Sequence, residues 1–506
     1  MSADFPPAVA TVDPRVVNRK AMLRIVPVIF VLYVIAYLDR VNVSFTQEQL
    51  QARLALNDAD FSLVYGWGTG IFFTGYLLLE IPGALLVEHW SARKWFCRIL
   101  ITWGFCSMAM VLVRTPWQFY LVRFLLGLAE AGFFPGIIVY FTHWFPREDR
   151  GRAFAGMVLG IPISLALGAR VSSLLLDVHW FGIEGWQWVF ILEGAPAVLM
   201  GLLVPFLLTD RPHQASWLTP GESNWLVAKL SHEKGAAGTA GRTSFPKPLE
   251  EPSVLVTKLS HEKGAAEPAG RTSFSKALKE PSMLVTKLSH EKGAAEPAGR
   301  TSFLKALKQP TVWLLALGIF SANTGGYAAV FWLPRVVKNF LAQAGFDSAG
   351  NAHLNWLALA YAFGLAGIWL SGLSSDRTAS WKWHCVGAMV LTGACLTATA
   401  IEGQRWQIVI VWLCLMQFFA FAWPPPFWVL PTLTLSSTEA AFAIGFINIC
   451  ANLAGQVGSP LVGVMKYQGY DDRVCLMVLA GFFVLGGIIV SLIRIPQTPL
   501  QKAPVQ

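Results

Sequence analysis

Long apolar runs, each bounded by a short stretch of charge, recur along this chain. At roughly 20 residues per bilayer crossing, they fall at about 22–45, 61–87, 95–113, 117–141, 152–176 and 186–208. After a polar block they resume at about 311–333, 354–375, 383–401, 406–430, 437–465 and 473–495. The pattern predicts an all-α polytopic membrane protein with 12 transmembrane helices in two six-helix bundles, 22–208 and 311–495. Residues 1–21 read as an N-terminal tail, 209–310 as a linker and 496–506 as a C-terminal tail. Pro162, Pro196, Pro424 to Pro426 and Pro460 interrupt several runs. Membrane helices tolerate this where neighbours satisfy the freed backbone groups.

The polar block contains a tandem repeat. Lys-Leu-Ser-His-Glu-Lys-Gly-Ala-Ala begins at Lys229, Lys258 and Lys287, a period of 29 residues. Each unit has few large apolar residues (Leu255, Val256 and Leu259 in one) and much Gly, Ala, Pro and Lys. Such a unit cannot bury a core. The expected form is a hydrated linker with a short amphipathic turn per copy, lengthened by duplication at little cost in free energy.

Composition agrees with the pattern. The chain has 506 residues, 54% hydrophobic and 14% charged, against about 25% charged in soluble domains. The net charge of +9 does not point to nucleic acid, because the Lys and Arg flank the apolar runs, where they set orientation. Arg15, Arg19 and Lys20, the loops at Arg93 and Arg147, the polar block and the loop at Arg377 share one side, which predicts cytoplasmic termini and linker. Arg335, Lys338 and Arg473 are exceptions. The seven Cys lie in or beside apolar runs without metal-like spacing, so they read as small buried hydrophobes. No nucleophile–base set, metal cluster or phosphate loop is visible, which argues against an enzyme and against a cofactor.

Candidate chemistry lies inside the spans, where an ionisable residue is expensive and by default functional. Arg123 and Glu130 are seven residues apart in the fourth span, on one helix face two turns apart, with Gly127 between them expected to leave open space. The competing reading is a static salt bridge between helices. Tyr33, Tyr37, Arg40 and Ser44 form one stripe of the first span, favouring a cavity face. Arg40 suits a carboxylate ligand, since guanidinium binds carboxylate bidentately and stays charged. Asp39 points about 100° away, towards a neighbouring helix, with Arg123 as its expected partner. In the second half Asn323 and Tyr327 lie a turn apart, and Asn448, Asn452 and Gln456 form a polar stripe. Such stripes also serve as helix glue. Tyr327 and Asn452 are favoured as substrate ligands. Two cytoplasmic turns carry an acid followed by cations, Glu88 to Arg93 and Asp376-Arg377. They suit a charge latch holding one conformation, or equally plain positive-inside topology.

Two six-helix halves with a long central loop match transporters built from two repeats, with the substrate at their interface. Gly83-x4-Glu88-x4-Arg93-Lys94 and Gly372-Leu-Ser-Ser-Asp376-Arg377 resemble the loop signature of the major facilitator superfamily. His89 and Ser91 stand where that family usually has Arg and Gly. Tyr37-Leu-Asp-Arg-Val-Asn42, Arg123-Phe-Leu-Leu-Gly-Leu-Ala-Glu-Ala-Gly-Phe-Phe-Pro-Gly136 and Gly185-Trp-Gln-Trp-Val-Phe-Ile-Leu-Glu-Gly194 are similar to its anion:cation symporter branch. Phe427-Trp-Val-Leu-Pro-Thr432 and the Asn448–Asn452 stretch resemble bacterial tartrate, phthalate and sugar-acid permeases. The resemblance implies proton coupling at Asp39 and Glu130, and anion binding or charge pairing at Arg40 and Arg123.

The expected function is proton-coupled uptake of a small organic anion by alternating access, with Arg40, Arg123, Tyr37, Tyr327, Asn448 and Asn452 at the substrate. The expected partners are the anion, a proton and the lipid bilayer of the inner (plasma) membrane, with no nucleic acid, and the chain is expected to act as a monomer. The alternatives are an anion exchanger or exporter, and a membrane nutrient sensor that does not transport.

Overall fold

The computed structural model describes residues 12–239, 306–343, 350–401, 405–435 and 437–495. Several helix starts follow local chemistry. Pro14 opens the first helix, and the side chain of Asp13 accepts from the Arg15 amide at 2.8 Å. Thr115 caps the fourth span ahead of Pro116, and Asp471 caps the last. A helix-opening proline loses no bond, and capping oxygens satisfy amides that have no partner within the helix.

Eleven helical stretches are long and apolar enough to cross a membrane. The eleventh span in chain order, Ser437–Tyr467, is outside that set. It is a 31-residue helix that carries Asn448, Asn452 and Gln456. With it the described residues hold 12 spans in two bundles. The bundles repeat one packing scheme. Span one packs on five and six, two on four, and three on six. Span seven likewise packs on eleven and twelve, eight on ten, and nine on twelve. The bundles meet where span two lies on eleven and span five on eight. The lipid-facing surface inverts the pattern of a soluble protein: Phe206 is 82% exposed and Leu112 73%.

Two spans break for reasons visible in sequence. Span four is helical over Pro116–Glu130 and again over Phe133–Trp144. Between them Gly132 takes φ +81°, a conformation that glycine adopts at no steric cost. Glu130 therefore ends the first segment. Span ten breaks at Pro424, Pro425 and Pro426, where the interior amides are missing.

Part of the linker departs from expectation. Pro220–Thr239 is a 20-residue helix docked on the first bundle. Leu226 and Leu230, one turn apart, are buried. Lys20 pairs with Glu222 at 2.6 Å, Arg150 with Glu233 at 3.5 Å, and Lys229 with Glu148 at 3.7 Å. The hydrogen bond from Lys20 holds the Glu222 carboxyl below the usual carboxylate range. The unit lacks a core of its own, but one amphipathic stripe needs only a neighbouring surface. The second and third repeat copies, and the C-terminal tail from 496, lie outside the described residues.

Candidate functional site

A cavity of about 670 Å³ lies between the bundles. It runs from mid-bundle to the ends of spans five and eight on the linker side, at Gly151 and Asp376. Its charged centre is a buried ion pair: Arg40 Nη2 of span one donates to Glu130 Oε1 at the break of span four. Tyr37 and Tyr76 face the same guanidinium, 5.0 and 5.4 Å from its carbon. A buried guanidinium flanked by aromatic faces and one carboxylate keeps its charge without water. The opposite wall comes from the second bundle, with Asn323 and Tyr327 of span seven and Asn448 and Asn452 of span eleven.

The far side is closed across the bundles. Gln47 Nε2 and Tyr65 Oη both donate to the Phe331 carbonyl, at 2.8 and 2.9 Å. Thr69 and Ser459 hydroxyls meet at 2.6 Å. Arg335 pairs with Asp58 at 2.9 Å and Lys338 with Glu48 at 2.6 Å. Arg170 donates to Asn355 at 2.6 Å, and Asn351 to Asp177 at 2.8 Å. The described residues thus adopt a state sealed on the far side, with the cavity leading to the linker side.

Of the expected site residues, the structure brings Tyr37, Arg40, Glu130, Tyr327, Asn448 and Asn452 to the cavity. Three expectations are corrected. Asp39 does not meet Arg123: it accepts from Trp103 Nε1 and from Ser107 Oγ (2.7 Å), both on span three. Arg123 is buried away from the cavity, between the rings of Phe72 (5.0 Å) and Phe331 (5.9 Å), and its Nε and Nη2 have no hydrogen-bond partner among the described residues. Gly127 leaves no open space, since a Cβ there would come within 2.0 Å of the Phe72 carbonyl oxygen. Helical phase gives a residue's face but not which neighbour occupies it, and span two occupies this one.

Among the described side chains, Arg93 and Asp376 each bond within their own half of the molecule in this state. Arg93 Nε bonds Asp210 at 3.2 Å within the first bundle. Asp376 accepts from Trp381 Nε1 at 2.9 Å and lines the cavity mouth, whereas Arg377 does not line the cavity. The Glu88 side chain lies outside the described residues.

Comparison with known proteins follows the same lines. The model of the Major Facilitator Superfamily matches residues 29–459. The chain belongs to this superfamily. An Agrobacterium vitis relative, described as "Putative tartrate transporter", is 36% identical over 97% of this chain and 98% of its own. The "Inner membrane transport protein RhmT" of Escherichia coli K12 is 30% identical over 96% and 97%. A solved structure of the Escherichia coli xylose transporter XylE, titled as an inward open conformation, superposes with a TM-score of 0.63. It covers 94% of this chain and 98% of XylE at 14% identity, a likeness of fold alone.

As a superfamily member the protein is a secondary transporter of a small molecule, not an enzyme. Sequence reasoning missed Tyr76, Glu80 and Glu193 in this transporter. Glu80 (span two) and Glu193 (span six) are buried acids inside spans, and the criterion that singled out Glu130 applies equally to both. Glu80 accepts from Asn448 and Asn452 across the bundle interface. Among the described residues Glu193 is approached by the Asn42 side chain but meets no partner at full hydrogen-bonding geometry.

Proposed function

We propose that this transporter carries out proton-coupled uptake of a small organic anion, a carboxylate such as tartrate, a sugar acid or an aromatic acid. It works in the inner membrane, with termini and linker in the cytoplasm, so the state described here is open to the cytoplasm. The observation that carries the reading is the Arg40–Glu130 pair on the cavity wall.

A guanidinium engaged by Glu130 is not free for a substrate carboxylate. Leaving one partner of a buried pair without the other costs about 3–5 kcal/mol, so Arg40 keeps Glu130 until a second anion is at hand. A proton on Glu130 removes the competing charge, and the anion takes its place on Arg40. Proton and anion thereby favour each other's binding, and the coupling is reciprocal. Asp39, held by Trp103 and Ser107 one residue from Arg40, supplies a second protonation site behind the cavity. Arg123, buried among aromatic rings, contributes fixed positive charge that draws anions inward. Rocking of the bundles about spans two, five, eight and eleven exposes the site alternately. Asp376 and Arg377, with Glu88 and Arg93, close the cytoplasmic mouth in the opposite state.

The test is Glu130→Gln in proteoliposomes with a panel of carboxylates, with and without an inward proton gradient. Gln keeps the shape but cannot carry the transported proton. Exchange of labelled anion should persist while gradient-driven accumulation is lost. Full concentrative uptake by the variant would refute the assignment, and flux only outward down an imposed gradient would favour an exporter.

A further inference from the structure

Four amides line the second-bundle wall of the cavity, Asn323, Gln417, Asn448 and Asn452, and all but Gln417 donate from the amide nitrogen to a protein acceptor. Asn448 Nδ2 donates to Glu80 Oε1 at 2.5 Å. Asn452 Nδ2 donates to both Glu80 oxygens, at 3.2 and 3.4 Å. Asn323 Nδ2 donates to the Ala451 carbonyl at 3.3 Å. Glu80 itself does not line the cavity, and it belongs to the opposite bundle. A carboxylate accepts and does not donate, so it fixes which end of each span-eleven amide faces it. Asn452 spends its nitrogen on both Glu80 oxygens and keeps its carbonyl for the cavity, while Asn448 keeps its carbonyl and one N–H.

We infer that Glu80 is a positioning residue for substrate selection. By holding the nitrogens of Asn448 and Asn452, it turns their Oδ1 atoms to the cavity and makes that wall an array of acceptors opposite Arg40. The ligand this arrangement takes is a hydroxylated carboxylate: its carboxylate meets the guanidinium, and its hydroxyl groups donate to the amide carbonyls. A carboxylate without hydroxyl groups leaves those carbonyls unpartnered, and sites built to bond a hydroxyl discriminate strongly against analogues lacking it. The inference rests on the organic-anion reading above and narrows it to hydroxy acids.

The experiment is anion exchange in proteoliposomes at equal pH on both sides, comparing L-tartrate with succinate, which differ only in the two hydroxyl groups. The unmodified transporter should show a lower KM for tartrate. In Glu80→Gln the side chain can donate as well as accept, so the amides are free to turn over. The tartrate KM should then rise by about 2- to 10-fold, the loss of one hydrogen bond's worth of binding, while the succinate KM stays unchanged. Asn452→Ala, which leaves Glu80 in place, should shift tartrate in the same selective way. An equal rise for both acids, or a fall in kcat alone, would assign Glu80 a merely structural role and overturn the inference. A preference for succinate or benzoate over tartrate in the unmodified protein would overturn it while leaving the anion reading intact. Exchange of no carboxylate at all would instead bring down the anion reading on which it rests.

Discussion

The far-side seal sets the conformational equilibrium, and its exposed part can be reversed without touching the cavity. Glu48→Lys with Asp58→Lys places cations opposite Lys338 and Arg335, now 2.6 and 2.9 Å from their carboxylate partners. The Asp58 side chain is 85% exposed and that of Glu48 47%, so each pair contributes at the low end for ion pairs, about 0.2–1 kcal/mol. Reversal removes two attractions and adds two repulsions, for a total of about 1–3 kcal/mol, a factor of about 5 to 150 in the equilibrium between states. Spin labels on cysteines at Ala52 and Gln468, exposed far-side positions on opposite bundles, report the opening as a distance distribution by pulsed electron resonance. The double variant should populate a longer distance, and high salt should shrink the difference because the charges are exposed. An unchanged distribution at low salt, in protein that still binds substrate, would refute the claim that these pairs hold the state.

Gly127→Ala sets a Cβ within 2.0 Å of the Phe72 carbonyl and forces spans two and four apart at about 1–3 kcal/mol. It should lower the melting temperature in detergent and reduce uptake through displacement of Glu130. Deleting residues 258–286, one 29-residue unit, leaves the docked helix Pro220–Thr239 whole and changes loop closure by under about 1 kcal/mol. Uptake should be unaffected, and lost activity with normal membrane insertion would give the repeat a role.

The number and order of the spans were legible because a bilayer imposes one length and one polarity on every crossing. The cavity face of span one was legible from Tyr33, Tyr37 and Arg40, whose spacing puts them on one stripe. The pairing was not. Phase within a helix placed Arg123 and Glu130 on a common face, but packing of span two against Gly127 sent Arg123 to Phe72 and Phe331 and left Glu130 to Arg40. Asp39 went to Trp103 and Ser107 because span three, not span four, lies behind it. Glu80 carried a readable signal, an acid inside an apolar run, but its partners stand more than 360 residues away in sequence, beyond any local pattern. The docked helix was missed because its two leucines make no core until the first bundle supplies the other half.

The Phe331 carbonyl has a consequence for how this seal can vary. It takes bonds from two side chains of the first bundle, and as a main-chain group it survives any replacement of the residue that bears it. Mutational drift on the second bundle therefore cannot unmake this contact by side-chain identity, whereas loss at Gln47 or Tyr65 does so directly. This contact places no demand on the Phe331 side chain, whose ring is held instead by its packing on Arg123 and Phe73, whereas it depends directly on the side chains at Gln47 and Tyr65.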